Sequence, residues 1–194
     1  MFLVMIKRLL IIFIILGLTV LYAVYQKQSL ESQLVTTPGA SVLAKLPTAE
    51  FETLDGAPYN LDDLFINERI ELLVVHYWGT WCGPCEAELP ELLSFINRFE
   101  GAPGVKFLLV AVNDDLIKIK KHLKTLTMPK ASLIWLLDNK NIHRDTFGTT
   151  RVPETYVFSS DKVTLRKYVG PQEWNKPSFF RNFDEFRQIS QRKL

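Results

Sequence analysis

Between residues 70 and 112 the chain places two dense apolar runs on either side of an amphipathic stretch. Ile70–Trp78 contains Leu72-Leu73-Val74-Val75, a continuous run that predicts a strand covered on both faces. From Cys85 to Phe99, Leu89, Leu92, Leu93, Ile96 and Phe99 recur on one helical face, and Pro90 is expected to kink that helix. Val105–Val112 predicts a second buried strand, followed by Asn113-Asp114 as the cap of an amphipathic helix with Leu116, Ile119, Leu123 and Leu126. Upstream, Ala49–Leu54 alternates Phe51 and Thr53 with polar neighbours, as an edge strand does, and turns at Asp55-Gly56. Downstream, Leu133–Leu137 predicts a short strand, and Asn139–Phe147 a short helix ended by Gly148. Glu154–Phe158 and Val163–Val169 flank Ser160-Asp161-Lys162 in the manner of a hairpin. The last helix starts near Pro177 and is expected to bury Phe179, Phe183, Phe186 and Ile189. Strands alternating with helices, then a hairpin and a helix, give an α/β fold with a central mixed sheet. The Lys118–Lys124 cluster reads as the solvated face of its helix.

The first 43 residues follow another pattern. Lys7 and Arg8 precede an uncharged run from Leu9 to Tyr25, at the short end of what spans a bilayer, and the apolar Met1–Ile6 extends it. Lys7, Arg8 and the α-amino group outnumber Lys27 on the far side, which keeps the N-terminus cytoplasmic. The alternative is a cleaved signal peptide, but the bulky Leu18-Thr19-Val20-Leu21-Tyr22 offers no small-x-small cleavage site. Polar residues from Gln26 to Leu43 read as a tether averaging about 25 Å end to end. The expected organisation is a cytoplasmic segment (1–8), a transmembrane signal anchor (9–25), a linker (26–43) and one domain (44–194). That domain would stand on the extracytoplasmic, periplasmic side of the cytoplasmic membrane.

Bulk composition changes this picture little. A net charge of +2 gives no argument for nucleic acid. Two cysteines are too few for a disulfide scaffold or a four-thiolate zinc site. They fall together, in Trp81-Cys82-Gly83-Pro84-Cys85, where the first buried strand gives way to a helix. Thiol–disulfide exchange needs one ionised, reachable thiol and a second that resolves the mixed disulfide. Cys82 at a helix N-terminus meets unpaired amides and the macrodipole, which favour a thiolate. Lowering a thiol pKa from about 8.5 to about 7 is worth roughly 2 kcal/mol. Pro84 fits the first turn, and Cys85 one turn further in is the expected resolving thiol. The bland alternative is half of a metal site, which lacks its second pair of ligands.

Tyr77-Trp78-Gly79-Thr80-Trp81-Cys82-Gly83-Pro84-Cys85 resembles the active-site segment of thioredoxin-fold proteins. With Glu86-Ala87-Glu88-Leu89-Pro90 it is similar to the membrane-anchored TlpA/ResA/CcmG (DsbE) branch, from about Leu46 to the last helix. The resemblance implies a thioredoxin-like fold with an N-terminal β extension. It implies a cis proline at Pro153 beside the CxxC, with the backbone of Val152 pairing with a substrate strand and Trp81, Gly83 and Pro84 forming the docking rim. It also implies a functional glutamate at Glu88, moving protons to and from Cys85, and a second at Glu154 near the thiols. From the residues alone, Glu88 and Glu154 read as ordinary exposed side chains, and Val152-Pro153 as a strand start. His76, six residues before Cys82, departs from the family, where an aspartate, an asparagine or an apolar residue stands. It is a hydrogen-bonded core histidine, a neutral proton relay to Cys85 or, if charged, a group that stabilises a thiolate. His122 and His143 are expected on helix surfaces, without a role.

The function expected is a protein-disulfide reductase, since Gly-Pro between the thiols is the thioredoxin dipeptide, near −270 mV against about −120 mV for DsbA. By resemblance, a DsbD- or CcdA-like membrane protein supplies electrons, and the CxxCH thiols of apocytochrome c are the client. No cofactor beyond the Cys82–Cys85 pair and no resident metal are expected, and the protein is expected to be a monomer. Alternatives are a general disulfide reductase or isomerase, and a copper or zinc chaperone using Cys82, Cys85 and His76. A peroxiredoxin site is excluded because Trp78, not proline, lies four residues before Cys82.

Overall fold

The computed structural model describes Phe13 and residues 15–22, 43–130 and 133–192. It divides into two units, residues 1–40 and 41–194. In the first unit Phe13 and residues 15–22 are helical. Among the described residues no helix is long and apolar enough to cross a membrane. The rest of the 9–25 run, the 1–8 segment and residues 26–42 lie outside the described residues.

In the second unit seven strands form one sheet: β1 (Glu50–Thr53), β2 (Pro58–Asn60), β3 (Leu72–Trp78), β4 (Val105–Val112), β5 (Leu133–Asp138), β6 (Glu154–Ser159) and β7 (Thr164–Val169). Their spatial order is β2-β1-β5-β4-β3-β6-β7. The centre, β3-β4-β5, is parallel; β6 and β7 add antiparallel on one side, β1 and β2 on the other. The helices are α1 (Leu61–Asn67), α2 (Gly83–Asn97), α3 (Leu116–Leu123), α4 (Ile142–Asp145) and α5 (Pro177–Gln191). This is a thioredoxin-like α/β fold, with the β1–β2 hairpin as its N-terminal extension.

Every residue of β3 is buried, as its unbroken apolar run requires. Alternation sends Leu72, Val74 and Trp78 to one layer, with Leu89, Leu92, Phe95 and Ile96 of α2 and Phe179, Phe183 and Phe186 of α5. Leu73, Val75 and Tyr77 face the other layer, with Leu61 and Leu64 of α1 and Phe147. The two layers set the chemistry, because functional side chains on neighbouring strand positions must point to opposite faces.

Several boundaries differ from the sequence expectations. Strand β1 is not an edge: Gly56 (φ +85°) turns the chain back, and Pro58–Asn60 covers it. Helix α2 starts at Gly83 rather than Cys85, because Cys82 is its N-cap, and it continues through Pro90. Asp115, not Asn113-Asp114, caps α3, its Oδ1 accepting from the Ile117 and Lys118 amides at 2.9 and 3.0 Å. That helix ends at Leu123, leaving Leu126 beyond it. The helix expected over 139–147 shrinks to one turn, since Asp138 takes the amides of Lys140, Ile142 and His143 as acceptor. His143 is buried rather than on a surface, its Nδ1 2.6 Å from Asp138 Oδ2. In α5 Phe179, Phe183 and Phe186 are buried as expected, whereas Ile189 is half-buried and Ser190 takes the inner place, bonding the Glu71 carbonyl.

Candidate active site

The site forms where β3 delivers the chain into α2. Gly79 permits the turn: a Cβ there would sit 2.7 Å from the indole nitrogen of Trp81. The Trp81 ring folds back over that gap and donates from Nε1 to the Val112 carbonyl at 2.9 Å, yet remains 58% exposed. Thr80 is pinned through its amide and hydroxyl to the two carboxylate oxygens of Asp114, at 2.5 and 2.8 Å. Asp114 is therefore an anchor of the active-site turn instead of a helix cap.

Cys82 and Cys85 form a disulfide. Cys82 sits at the helix mouth, where the Cys85 amide donates to its sulfur at 3.3 Å and the Glu86 amide to its carbonyl at 3.0 Å. Its side of the pair faces the rim formed by exposed Trp81, Gly83 and Pro84, whereas Cys85 is completely buried. The Val152–Pro153 peptide is cis, and the Val152 carbonyl lies 3.7 Å from the Cys82 sulfur. Pro153 is held by its own carbonyl, which accepts from the Gly170 amide at 2.9 Å. The structure thus brings Cys82, Cys85, Trp81, Gly83, Pro84, Val152 and Pro153 to one place. Of the two cysteines, Cys82 keeps 6% exposure and Cys85 none.

One turn beyond Cys85 on the same helical face, Glu88 is 5% exposed. Its Oε2 accepts from the Gln172 amide at 2.7 Å and from Trp174 Nε1 at 3.0 Å. Burial pushes its carboxyl above the ordinary value and Glu91 adds to this, against the pull of those two donors. Oε1 has no hydrogen-bond partner and lies 3.7 Å from Nε2 of His76, which has none either. His76 is the core histidine the sequence allowed, its Nδ1 2.8 Å from the Thr155 hydroxyl. Burial lowers its pKa to about 3, so the ring is neutral at physiological pH.

Glu154 is not part of this group. Strand alternation places it with Tyr156 and Phe158 on the opposite face from Thr155 and Val157. It is buried, with Oε1 3.0 Å from Lys167 Nζ and Oε2 accepting from the Tyr156 hydroxyl at 3.1 Å. Burial works against the Lys167 charge, but the hydrogen bonds it donates to Tyr156 and Glu154 outweigh it and raise its pKa. His122, expected to stand apart, packs its ring 6.0 Å from Trp78 and its Nδ1 3.5 Å from Glu86. Among the described residues no group of three or more His, Cys, Asp or Glu side chains is placed to hold a metal ion. The residues that sequence reasoning missed are Trp174, Gln172 and Thr155, which orient Glu88 and His76 from distant segments, together with Asp114 and Lys167.

Residues 42–182 match the model of the Redoxin family. The sporulation thiol-disulfide oxidoreductase A of Bacillus subtilis is 25% identical over 132 residues, 59% of this chain and 73% of that one. The thiol-disulfide oxidoreductase ResA of Bacillus cereus is 25% identical over 121 residues, covering 61% of this chain and 64% of the relative, a little under two thirds of its length. Among solved structures, a putative thiol:disulfide interchange protein DsbE from Chlorobium tepidum superposes with a TM-score of 0.63 at 18% identity, over 76% of this chain and 99% of that one. StoA from Bacillus subtilis superposes with a TM-score of 0.52 at 18% identity, over 72% and 96%. These likenesses carry the fold, and the Cys82–Cys85 pair at the helix mouth carries the chemistry that the sequence relatives are named for. The chain belongs to the Redoxin family, as a thioredoxin-fold member with a CxxC dithiol of the thiol–disulfide oxidoreductase kind.

Proposed function

We propose that this thiol–disulfide oxidoreductase is a protein-disulfide reductase, tethered to the cytoplasmic membrane and working on its extracytoplasmic side. The observation that carries the reading is the inequality of the two sulfurs: one at the rim beside a cis proline, the other fully enclosed. In the reduced protein the Cys82 thiolate attacks a substrate disulfide. A Cys82–substrate bond forms, and the displaced substrate sulfur leaves and takes up a proton. Cys85 then gives its proton to Glu88 and attacks Cys82, releasing the second substrate thiol. Two electrons pass to the substrate, and the protein is left with the Cys82–Cys85 disulfide seen here.

Among the described residues, nothing bonds the Val152 amide, and its carbonyl meets only the Cys82 sulfur. This supports docking of an extended substrate segment along that backbone, with Trp81, Gly83 and Pro84 as the rim. Glu154, paired with Lys167 on the far face, braces the start of β6 under Pro153 and takes no part in proton exchange. The Gly-Pro dipeptide favours the reducing direction; the gap of about 150 mV between thioredoxin and DsbA is worth roughly 7 kcal/mol. The positive-inside bias of Lys7 and Arg8 and the exposed apolar side chains of Phe13, Ile15, Leu16, Leu18 and Leu21 support an anchor. A DsbD- or CcdA-like donor and apocytochrome c thiols are the partners this arrangement suits, with a general disulfide reductase or isomerase as the second reading.

Trapping tests the proposal. Cys85→Ala in cells should leave Cys82 linked to its clients, identifiable by mass spectrometry. Equilibration with glutathione should give a potential well below that of DsbA. A value near −120 mV would reverse the direction, and undiminished disulfide turnover in Cys82→Ser would remove the function altogether.

A further inference from the structure

Two buried polar atoms without partners face each other at the heart of the site. They are Oε1 of Glu88 and Nε2 of His76, 3.7 Å apart. An N–H donating to a carboxylate closes to about 2.8 Å, so 3.7 Å is the spacing of two acceptors. The other ends of both groups are fixed. Oε2 already accepts two N–H donors, from Gln172 and Trp174, which fills its lone pairs and leaves Oε1 as the oxygen able to carry a proton. Nδ1 of His76 meets the hydroxyl of Thr155, the residue directly opposite it in the β3–β6 ladder, at 2.8 Å.

We propose that Glu88 Oε1 and His76 Nε2 form a slot for one proton, with Thr155 holding His76 as its Nδ1–H tautomer and so keeping Nε2 bare. The inference deepens the reading of Glu88 as acceptor of the Cys85 proton. When the Cys85 S–H bond breaks, the proton is received as Oε1–H and points into Nε2, closing the gap as a hydrogen bond. The slot empties when Cys85 is next protonated, or earlier if the Glu88 carboxyl ionises while the disulfide stands, the state with the 3.7 Å gap. His76 is a positioning residue: it acts on the thiol only through Glu88. The ring itself takes no charge, because burial keeps it neutral down to about pH 3.

The other groups facing the slot do not supply the missing proton. Glu91 on α2 repels charge on Glu88. From β7, Tyr168 packs its ring 6.1 Å from Trp174, with the Arg166 guanidinium 5.6 Å from the same ring. Glu173 in the following loop is paired with Lys176. Leu109 of β4 and Phe179 of α5 are apolar, and the Glu154–Lys167 pair lies on the opposite face.

The test uses the unmutated oxidised protein first. Ring ¹⁵N shifts should show His76 as the Nδ1–H tautomer throughout, with Nε2 changing as the Glu88 carboxyl titrates and no imidazolium forming. An Nε2–H tautomer would overturn the slot. Thr155→Val frees His76 to the Nε2–H tautomer, and His76→Gln supplies an amide donor. Each should stabilise the carboxylate and move the ¹³C titration midpoint of Glu88 down by about one pH unit, a tenfold change in its protonation constant. A merely structural histidine would leave that midpoint in place in both variants, which would also overturn the proposal. Release of thionitrobenzoate from a Cys82 mixed disulfide reads the linked step, and Glu88→Gln should slow it. A release rate that ignores Glu88→Gln would sink the functional reading of Glu88, while the slot itself stands or falls on the tautomer.

Discussion

Replacing Trp174 by phenylalanine removes one N–H from the Glu88 carboxylate and little else among the groups that touch it. The indole donates to Oε2 at 3.0 Å while the Gln172 amide donates to the same oxygen at 2.7 Å, so the loss is one donor of two. A hydrogen bond to a charged group is worth roughly 1.5–3 kcal/mol. At 1.36 kcal/mol per unit, that corresponds to a rise of about 1–2 units in the Glu88 pKa, beyond the rise that burial already imposes. The variant also loses packing, since the Trp174 ring contacts Phe95 and Phe179 at 5.5 and 5.0 Å, and a smaller ring there should cost about 1–3 kcal/mol in addition.

The two contributions separate by pH. A carboxyl whose folded pKa lies above its unfolded value contributes stability that is complete below the unfolded value and fades as pH rises through the folded one. For Glu88 that window opens above its ordinary 4.5, and Trp174→Phe extends it upward. Urea denaturation between pH 4 and pH 8 should therefore show a larger deficit for the variant at the alkaline end, on top of a pH-independent packing loss. Carboxyl ¹³C shifts give the Glu88 midpoint directly. A midpoint unchanged from the parent protein, with the same stability deficit at every pH, would refute the claim that this indole holds the carboxylate.

Three further outcomes follow from the same geometry. Lys167→Met leaves Glu154 buried without its cation and should cost about 3–5 kcal/mol at neutral pH; stability should recover when Glu154→Gln is added, and a urea midpoint near that of the parent would contradict the pairing. Gly79→Ala should push the Trp81 ring off the Val112 carbonyl, raising KM for a protein disulfide by up to about tenfold with the redox potential unchanged; an unaltered KM would show that the ring does not serve docking. Asp138→Ala removes the acceptor for three amides and for His143, and hydrogen exchange should report α4 opening about 1–3 kcal/mol more readily, whereas unchanged protection would deny Asp138 that role.

What the sequence revealed and what it hid divide along contact distance. The Cys82–Cys85 pair, the strand before it and the helix after it are local features, and Pro84 and the apolar run Leu72–Val75 announce them within a dozen residues. The fate of Glu88 is not local. Its partners are 84 and 86 residues away, in a loop whose Gln172 and Trp174 carry no periodicity that would place them over a helix. Without them an i,i+3 glutamate on an amphipathic helix reads as solvated, and with them it is an enclosed carboxyl opposite a neutral imidazole. Glu154 shows the converse: the family resemblance implies closeness to the thiols, but the two-residue period of β6 turns it to the face away from Thr155 and into a pair with Lys167 of the next strand. Period-2 parity was readable in the chain, whereas the identity of the face that α2 occupies was not, because it depends on which side of the sheet the β3–α2–β4 crossover packs. Once that side is fixed, His76 and Thr155 must point toward Glu88 and Glu154 must point away. The separation of the two glutamates onto opposite faces of the sheet thus follows from the handedness of one connection.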